Sequence, residues 1–395
     1  MKSVAIVGAG ISGLLSAYYA AKGLKCSYLK VYEARDSVGR LHCTGLVSAE
    51  TASRIPFARK HISHEYSAVK VVVPELRVEV NIAFEDRSFV KIDRVELEKT
   101  LYHELQSLGV EASLGDPVHA VVDQAGEWVV HSKRCTSKYD LLILASGYNA
   151  RLVKSAGLSC KADTLSGVQV ELETGSRLRI DEDAVLVLLS KHFGEGFAWA
   201  VPTGDRTLVA GCATVPKVVE SVKCLNLLLS AISRVCGGVK PLSKPYGGVV
   251  LRGYPIRPYS KRAMGVGDCV SMVKSLSGGG LYAISLASRF VDAFIAQKSD
   301  LMEEVDILKA ELRKHYFLAK AVKTAIRVAE AAGIEGLRVN IWSRGVSYDD
   351  HLAILYEILS NKKSLPALMK NKSVTLHIVR AETRIKRYIS NASPP

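Results

Sequence analysis

The first forty residues contain two apolar runs separated by a segment with helical periodicity. VAIV (4–7) and YLKVYEA (28–34) are apolar, β-branched runs typical of buried strands. Between them, LLSAYYAAKG (14–23) has apolar residues at the three- and four-residue spacing of a helix and ends on a glycine, a common helix stop. The order strand, glycine-rich turn, helix, strand predicts a βαβ unit with a right-handed crossover.

Further along the chain, two-residue and helical patterns occur in separate blocks. Residues 67–92 alternate between apolar and polar side chains, which predicts a half-buried antiparallel sheet. Residues 93–109 have helical spacing and end at a glycine, while YDLLILASG (139–147) is typical of a parallel strand covered on both faces. Residues 165–255 are again rich in strand patterns, and from about residue 281 the chain is mainly helical and basic.

These blocks predict an α/β protein whose Rossmann-like nucleotide-binding domain is discontinuous. We assign residues 1–60, 88–155 and 255–290 to that domain. A β-rich substrate-binding domain, residues 61–87 and 156–254, is interleaved with it, and residues 291–395 form a C-terminal helical region. A chain of 395 residues is too long for one small core, which agrees with this division.

The net charge of +14 narrows the expected partners. It suits an anionic membrane surface, a phosphorylated substrate or a lysine-rich solubilising surface, and no recognition motif for nucleic acid accompanies it. The eight cysteines have no CxxC pair and no metal-ligand spacing, which argues against a metal site and a disulfide framework. No apolar run is long enough to span a membrane and Met1 leads almost directly into the first strand, so we predict a cytoplasmic protein.

The glycines of the first turn have the spacing of a dinucleotide-binding motif. Gly8 allows the tight turn, Gly10 allows a pyrophosphate to approach the backbone, and Gly13 allows the helix to pack on the strand. Glu33, at the end of the second strand, is placed to accept the hydroxyls of an unphosphorylated ribose, which favours FAD or NAD over NADP. The predicted contacts of this unit are Gly8, Ala9, Gly10, Ser12, Gly13, Glu33, Ala34, Arg35 and Arg94.

A second glycine-rich stretch, GDCVSMVKSLSGGGLYAI (267–284), favours FAD over NAD. Gly267 and Asp268 end a strand, where the carboxylate can accept hydrogen bonds from ribityl hydroxyls. Gly278, Gly279 and Gly280 precede a helix, and their bare backbone would face the flavin ring where negative charge develops on reduction. An NAD enzyme has no need of this second element. Lys261, Arg262 and Lys274 flank it, either as phosphate ligands or as solvated surface residues.

Together these motifs resemble the geranylgeranyl reductase family of flavoproteins, which is built like p-hydroxybenzoate hydroxylase. The resemblance rests on GAGISG with Glu33, on DR at 93–94, on ASG at 145–147 and on GD followed by SGGG, and it covers roughly residues 1–290. It implies an FAD-binding domain of the glutathione reductase and p-hydroxybenzoate hydroxylase type. It also adds Ala145 and Gly147 to the cofactor contacts.

Two further segments carry the resemblance into the expected reaction site. RLHCTGLVS (40–48) is similar to the cysteine-containing segment that these reductases place beside the flavin, which implies Cys43 as the catalytic residue and Arg40 as a cofactor contact. GFAWAVP (196–202) resembles their substrate-layer segment. The substrate contacts expected from both segments and the neighbouring strand are Phe197, Trp199, Pro202, Tyr254 and His42. Phe197, Val201 and Thr203 depart from the family pattern and leave an apolar wall.

The resemblance implies an FAD-dependent reductase of isoprenoid double bonds. The substrates expected are geranylgeranyl chains of archaeal-type ether phospholipids, or geranylgeranyl diphosphate, with NAD(P)H or a ferredoxin-type protein as electron donor. An FAD monooxygenase or halogenase on the same scaffold, or a prenyl-binding escort protein without enzymatic activity, are the alternatives. The basic C-terminal segments 308–333 and 370–388 suit either a helical cap or peripheral contact with an anionic membrane on the inner face of the cell.

Overall fold

The computed structural model describes residues 1–23, 26–85, 89–178, 182–298, 301–333, 335–343 and 345–360. Side chains at 301–302 and 357–360 lie outside this description, as does the whole of the predicted basic segment 370–388.

The strands of the described residues are, in chain order, β1 (Lys2–Val7), β2 (Cys26–Tyr32), β3 (Leu46–Ser48), β4 (Ile62–Tyr66), β5 (Ala68–Val73), β6 (Val78–Phe84), β7 (Phe89–Ile92), β8 (Glu111–Ser113), β9 (Val118–Gln124), β10 (Glu127–Ser132), β11 (Thr136–Tyr139), β12 (Leu141–Leu144), β13 (Ser159–Thr174), β14 (Ala184–Leu188), β15 (Phe197–Gly204), β16 (Thr207–Thr214), β17 (Val239–Pro241), β18 (Tyr246–Arg257), β19 (Ala263–Gly265) and β20 (Arg338–Ser343). The α-helices are α1 (Ile11–Lys22), α2 (Ala49–Arg54), α3 (Arg94–Ser107), α4 (Ala150–Ser155), α5 (Val218–Val235), α6 (Leu281–Ala287), α7 (Phe290–Ala296), α8 (Leu301–Ala331) and α9 (His351–Ser360).

A parallel sheet in the order β19-β12-β1-β2-β8 forms the first layer. Its strands come from three separated parts of the chain, residues 2–32, 111–144 and 263–265. VAIV and LLIL lie side by side in it, with Val4 paired to Leu141 and Val7 to Leu144, and all of these side chains are buried. Apolar side chains fill both faces because helices cover them, which is why these strands show no alternation in sequence.

The second layer is a nine-stranded mixed sheet in the order β17-β13-β16-β15-β14-β5-β6-β20, with β18 also paired to β13. The two faces of this sheet carry different clusters. Val170, Ala198 and Ala210 pack with Leu225 and Leu228 of α5, whereas Val201 and Val209 pack with residues of β5 and β6. Smaller antiparallel sheets, β11-β10-β9 and β3-β7-β4, flank the two layers.

Among the described residues after 290, the elements are helices, as predicted, except for one strand. β20 pairs in parallel with β6 and forms an edge of the large sheet. Its sequence RVNIWS alternates, with Val339 and Ile341 buried and Trp342 exposed, so the two-residue period was readable in a segment assigned to helices. The predicted helical cap over 308–333 corresponds to α8, whose buried Leu308, Leu312 and Leu318 face the protein.

Within the described residues, no helix is both long and apolar enough to cross a membrane. All eight cysteines are free thiols. Among the same residues no group of histidine, cysteine and acidic side chains is arranged to hold a metal ion.

Candidate functional site

The turn between β1 and α1 brings three predicted residues into backbone contact. Gly8 has a φ of +107°, where side chains are disfavoured, and a Cβ at this position would lie 2.3 Å from the carbonyl oxygen of Ala145. A Cβ at Gly13 would lie 1.8 Å from the carbonyl oxygen of Gly8. Both glycines are therefore required for α1 to begin this close to the parallel sheet.

Gly10 differs from these two glycines because it faces open space. It caps α1 in an extended conformation, and nothing lies within 4 Å of the position that its Cβ would occupy. The first helical bond joins the Leu14 amide to the Gly10 carbonyl, so the amides before Leu14 point out of the helix end. An open backbone with free amides is what the pyrophosphate of a dinucleotide requires, and the turn therefore fits this group.

Glu33 is held inside the same turn. It is 6% exposed, and its two carboxylate oxygens accept hydrogen bonds from the Ala9 amide at 2.7 Å and the Arg35 amide at 3.0 Å. The Arg35 guanidinium lies 3.7 Å from the carboxylate, and the exposed Ala34 lies between the two in sequence. A carboxylate oxygen has more than one lone pair, so Glu33 can still accept ribose hydroxyls.

The loop after β12 closes this edge of the sheet. The Ala145 amide donates to the carbonyl of Val7 at 2.8 Å, which seats it beside Gly8. Gly147 has a φ of +64° and, like Gly10, has no atom within 4 Å of its Cβ position. One of these two residues therefore packs against the glycine turn, and the other leaves its backbone open.

The second glycine-rich stretch contacts the first. Gly267 has a φ of +82°, and a Cβ there would lie 2.2 Å from Oγ of Ser12 in the opening turn of α1. Asp268 Oδ1 lies 3.5 Å from the Cβ position of Gly280. Burial raises the pKa of the Asp268 carboxyl and outweighs the opposing effect of Arg94. The tertiary structure thus joins two motifs that are separated by about 250 residues of sequence.

Residues 274–280 form a tight loop closed by its own backbone. The Lys274 amide donates to the Gly279 carbonyl at 2.9 Å, and the Gly278 amide donates to the Lys274 carbonyl at 2.8 Å. Gly278 has a φ of +70° and leaves no room for a side chain, because a Cβ would lie 2.6 Å from Val250. Gly280 caps α6 with φ −97°. Chain conformation therefore accounts for Gly278, whereas Gly279 and Gly280 are not required by backbone strain.

The cysteine segment 40–48 lies against the start of α3. Arg94 is buried and pairs with Glu98 at 2.5 Å. Burial acts to lower the pKa of Arg94, whereas Glu98 and, to a smaller extent, Cys43 act to raise it. The net shift of this pKa is upward. His42 Nδ1 lies 2.7 Å from the Arg40 carbonyl. His42 is exposed, yet desolvation and the neighbouring Arg94 lower its pKa. Arg94 therefore links the cysteine segment to the cofactor motifs.

Gln169 joins the cysteine segment to the large sheet. It is 2% exposed, and its side-chain oxygen accepts hydrogen bonds from Thr44 Oγ1 at 2.8 Å and Trp199 Nε1 at 3.1 Å. Phe197 lies beside Trp199, with ring centroids 5.5 Å apart. Gln169 was not among the predicted site residues, although the alternation of VQVEL places it on the face opposite the valines. The loop that carries Cys43 is thus hydrogen-bonded to the predicted substrate strand.

Two tyrosines complete the surroundings of Cys43. Burial is the main cause of the raised pKa values of Tyr246 and Tyr348, and the nearby Cys43 contributes to both. Tyr246 pairs across the sheet with Gln169, and Tyr348 stacks on Phe89 with ring centroids 4.2 Å apart. No sequence signal marks Tyr348, because it comes from a loop near the C-terminus that only tertiary packing brings here.

Two predicted substrate residues lie away from the aromatic wall that Phe197 and Trp199 form. Pro202 is on the same strand as Trp199, but the two-residue period places it with Ala198 on the opposite face, and its carbonyl accepts a hydrogen bond from Tyr66. Tyr254 lies against α8, where its ring centroid is 5.3 Å from that of Tyr316. The prediction that Pro202 lines the substrate wall is not supported, because its position on the strand turns it away from Phe197 and Trp199.

A buried ion pair anchors the glycine loop. Lys274 pairs with Asp349, and their side chains are 3% and 4% exposed. Asp349 also accepts hydrogen bonds from the Ser48 amide at 3.0 Å and Thr51 Oγ1 at 2.6 Å. Burial opposes ionisation of Asp349, but Lys274 outweighs it and holds the pKa of that carboxyl below its usual range. Lys274 is therefore neither a solvated surface residue nor a free phosphate ligand.

Other buried cysteines have no role at this site. Cys269 donates its thiol hydrogen to the Leu144 carbonyl at 3.0 Å, and burial raises its pKa to about 12. Burial raises the pKa of Cys212 to about 12 as well. Both remain thiols near neutral pH and pack as small apolar groups, as predicted for cysteines other than Cys43.

Comparison with known proteins agrees with this architecture. No protein-family model matches the chain. The sequence is 26% identical over 338 residues to digeranylgeranylglycerophospholipid reductase 2 from Methanopyrus kandleri, covering 79% of this chain and 80% of that protein. The structure matches a geranylgeranyl bacteriochlorophyll reductase-like protein from Thermoplasma acidophilum with a TM-score of 0.74 and 16% identity, over 94% of this chain and 99% of that one.

A variant of the halogenase PltM in complex with FAD has the same fold, with a TM-score of 0.62 and 12% identity over 85% of this chain and 77% of that one. The predicted fold class is confirmed by these neighbours. The individual contacts of the cofactor and the substrate stay predictions. The chain has the FAD-binding fold of the geranylgeranyl reductase-like flavoproteins.

Proposed function

We propose that this protein binds FAD and reduces carbon–carbon double bonds of isoprenoid chains. The observation that carries the proposal is the hydrogen-bonded link from the Cys43 loop through Gln169 to Trp199. On one side of that link Cys43 neighbours Arg94 and hence the cofactor motifs. On the other side lies the aromatic wall that Phe197 and Trp199 of the large sheet form. A cofactor and an apolar chain would therefore meet beside one thiol.

The residues of the glycine turn fit FAD. Gly10 and Gly147 offer open backbone, and Glu33 is fixed where a ribose would be bound. Asp268 and the loop ending at Gly280 lie within reach of the same turn. Bound and reduced, FAD would supply the hydride that forms one of the two new C–H bonds.

The chain's own residues would supply the proton and the environment. Cys43 would hold a proton at Sγ and transfer it to the second alkene carbon, and solvent would then reprotonate the thiolate. The Gly45 amide, 3.4 Å from Cys43 Sγ, would stabilise the developing negative charge. Trp199 and Phe197 would exclude water, which matters because an isolated alkene is a poor electrophile.

The substrate proposed is a geranylgeranyl chain on an archaeal-type glycerophospholipid. The name of the Methanopyrus kandleri relative supports this choice. NAD(P)H or a ferredoxin-type protein would be the reductant. To test the proposal, purified protein is reduced chemically and incubated with digeranylgeranylglycerophospholipid, and the lipid is then analysed by mass spectrometry. The expected result is a gain of two hydrogen atoms per reduced bond, and an unchanged lipid with flavin-loaded protein contradicts the proposal.

The replacement of Cys43 by alanine tests the role of the thiol. We expect turnover to fall by about 100-fold or more, because positioned proton transfer contributes on that order, while FAD content stays unchanged. Cys43→Ser, which keeps a weaker acid at the same position, should retain more activity than Cys43→Ala. Cys269→Ser is the matched control for general loss of a cysteine. Unchanged turnover in both Cys43 variants would remove the thiol from the mechanism.

The second candidate function is flavin-dependent halogenation or hydroxylation, which the structural similarity to PltM favours. The two functions need different co-reactants, since a halogenase requires oxygen and halide. Incubating the reduced protein with a prenyl lipid in air with bromide, and separately without oxygen, distinguishes them. Hydrogenated lipid in the anaerobic sample supports the reductase, and halogenated or hydroxylated product in air supports the alternative.

A further inference from the structure

One face of α8 carries a row of cations. Arg313, Lys320, Lys323 and Arg327 are separated by seven, three and four residues, which places them along one side of a helix. This side packs against β18. The row from Arg313 to Arg327 contains no acidic residue.

Three cations meet around a single carboxylate near the end of this row. Arg327 pairs with Glu195, and Arg252 of β18 lies 3.7 Å from the same carboxylate. Arg252 also donates to the Glu195 carbonyl at 2.9 Å, and the Lys323 ammonium donates to the carbonyl of Gly196. Lys323 therefore has a neutral partner, and the group carries two more positive charges than negative ones.

Two of these cations, Arg252 and Lys323, are half-buried. Nε of Arg252 is buried, and among the described residues it has no hydrogen-bond partner. Burial is the main cause that lowers the pKa of Lys323 to about 8; Glu195 opposes this shift, and Arg252 and Arg327 add to it. An anion placed among these three residues would relieve the repulsion and satisfy unpaired donors.

This cluster borders the predicted substrate residues. Gly196 directly precedes Phe197 at the start of β15. Arg252 lies two residues from Tyr254 on β18, so their side chains share a face of the sheet. The Arg313 guanidinium lies 5.9 Å from the centre of the Tyr254 ring. The cations thus border Phe197 along the chain and Tyr254 along β18, and a phosphate bound there would lie next to these two predicted substrate residues.

We propose that Arg252, Lys323 and Arg327 bind the phosphate group of the substrate. This inference rests on the proposed function for the identity of the ligand, but the binding of a phosphate can be measured without any reduction reaction. The guanidinium groups provide paired donors for phosphate oxygens, and the ammonium provides a point charge. Arg313 and Lys320 would guide the anion along α8 toward the site.

The test is calorimetric titration with inorganic pyrophosphate and, separately, with glycerol 1-phosphate. Lys323→Met should weaken binding about tenfold or more, because it removes a charge-assisted hydrogen bond. Lys309→Met is the matched control, since Lys309 lies on the same helix and pairs with Asp306. Equal affinity of wild type and Lys323→Met for both ligands, or an equal loss in the control variant, overturns the proposal.

The pH dependence of binding provides a second readout that does not depend on how well the variant folds. Affinity of the wild type should fall as the pH rises through about 8, because Lys323, which lies among Arg252, Arg327 and Glu195, then loses its proton. Lys323→Arg, which keeps a charge at all these pH values, should bind without this step. A step that persists in Lys323→Arg contradicts the assignment to Lys323.

The source of the phosphate is distinguished by competition. If the site holds the substrate head group, pyrophosphate raises the KM for the phospholipid, and Lys323→Met raises KM while kcat is retained. Phosphate binding that leaves KM unaffected overturns the assignment to the substrate. A protein that binds pyrophosphate through Lys323 but reduces no prenyl lipid would instead contradict the proposed function, so the two failures give different results.

Discussion

Replacing Lys274 with methionine is expected to lower the free energy of unfolding by about 3–5 kcal/mol, because it leaves Asp349 buried without its counter-charge. Both side chains are almost fully buried in the native protein. The Ser48 amide and Thr51 hydroxyl still donate to Asp349, but neither carries a positive charge. Because the pair anchors the loop that ends at Gly280, the variant should also lose bound flavin. Urea unfolding of the flavin-loaded and flavin-free protein measures both effects.

The pH dependence of this loss has a definite sign. In the wild type, the lowered pKa of Asp349 contributes stability above the unfolded pKa and is lost as the pH falls. In Lys274→Met the pKa of Asp349 rises, and protonation relieves the buried charge as the medium becomes acidic. The difference in stability between wild type and variant should therefore narrow from about pH 7 to about pH 5.

Two controls separate the buried pair from an ordinary ion pair. Glu96→Gln breaks the exposed pair with Lys99, at 2.8 Å, and should change stability by no more than about 1 kcal/mol. The double variant Lys274→Met with Asp349→Leu removes both charges and should recover much of the lost stability. If Lys274→Met were as stable as Glu96→Gln, the ion pair would not be the anchor of the glycine loop.

Alanine at Gly13 should lower the stability of the protein, whereas alanine at Gly10 should weaken the binding of FAD. A Cβ at Gly13 meets the Gly8 carbonyl oxygen at 1.8 Å, so the helix and turn have to move apart, and we expect a loss of about 1–3 kcal/mol even without cofactor. A Cβ at Gly10 meets no protein atom within 4 Å. Gly10→Ala should therefore keep the stability of the cofactor-free protein but bind FAD about tenfold more weakly or worse.

Thermal unfolding of the cofactor-free proteins and fluorescence titration with FAD check this pair of predictions. Gly109→Ala serves as a control for the loss of a glycine, because this residue lies at the end of α3 and has open space at its Cβ position. Its φ of +74° makes it a measure of backbone strain alone. Normal FAD affinity in Gly10→Ala would mean that no ligand approaches the backbone there.

Much of the fold was predictable because its signals are local. The βαβ unit follows from VAIV, the glycine turn and the periodic helix, and each depends only on residues near in sequence. The same holds for the alternating strands of the large sheet. β20 was missed although its alternation is clear, because six residues between basic helical segments do not outweigh the helical pattern around them.

The candidate site was predictable only where a motif needs a specific backbone. Gly8 and Gly13 are dictated by contacts that exclude a Cβ, and such positions leave a readable pattern of glycines. Gln169, Tyr348 and Asp349 carry no comparable pattern, because common polar residues acquire their roles through partners that are distant in the chain. For Pro202 the sequence motif was recognised, but the alternation of the strand places its side chain on the face opposite Phe197 and Trp199.

The sequence by itself determined the first βαβ unit, the two glycine motifs and the acid that follows β2, since their spacing depends on local chain geometry. The tertiary structure alone decided that Gly267 packs on Ser12, that Lys274 is neutralised by Asp349, and that Arg252 and Arg327 share the carboxylate of Glu195. These contacts join residues between about 55 and 255 positions apart. No local pattern encodes such pairings, because their free energy depends on burial and charge that exist only once the layers have packed.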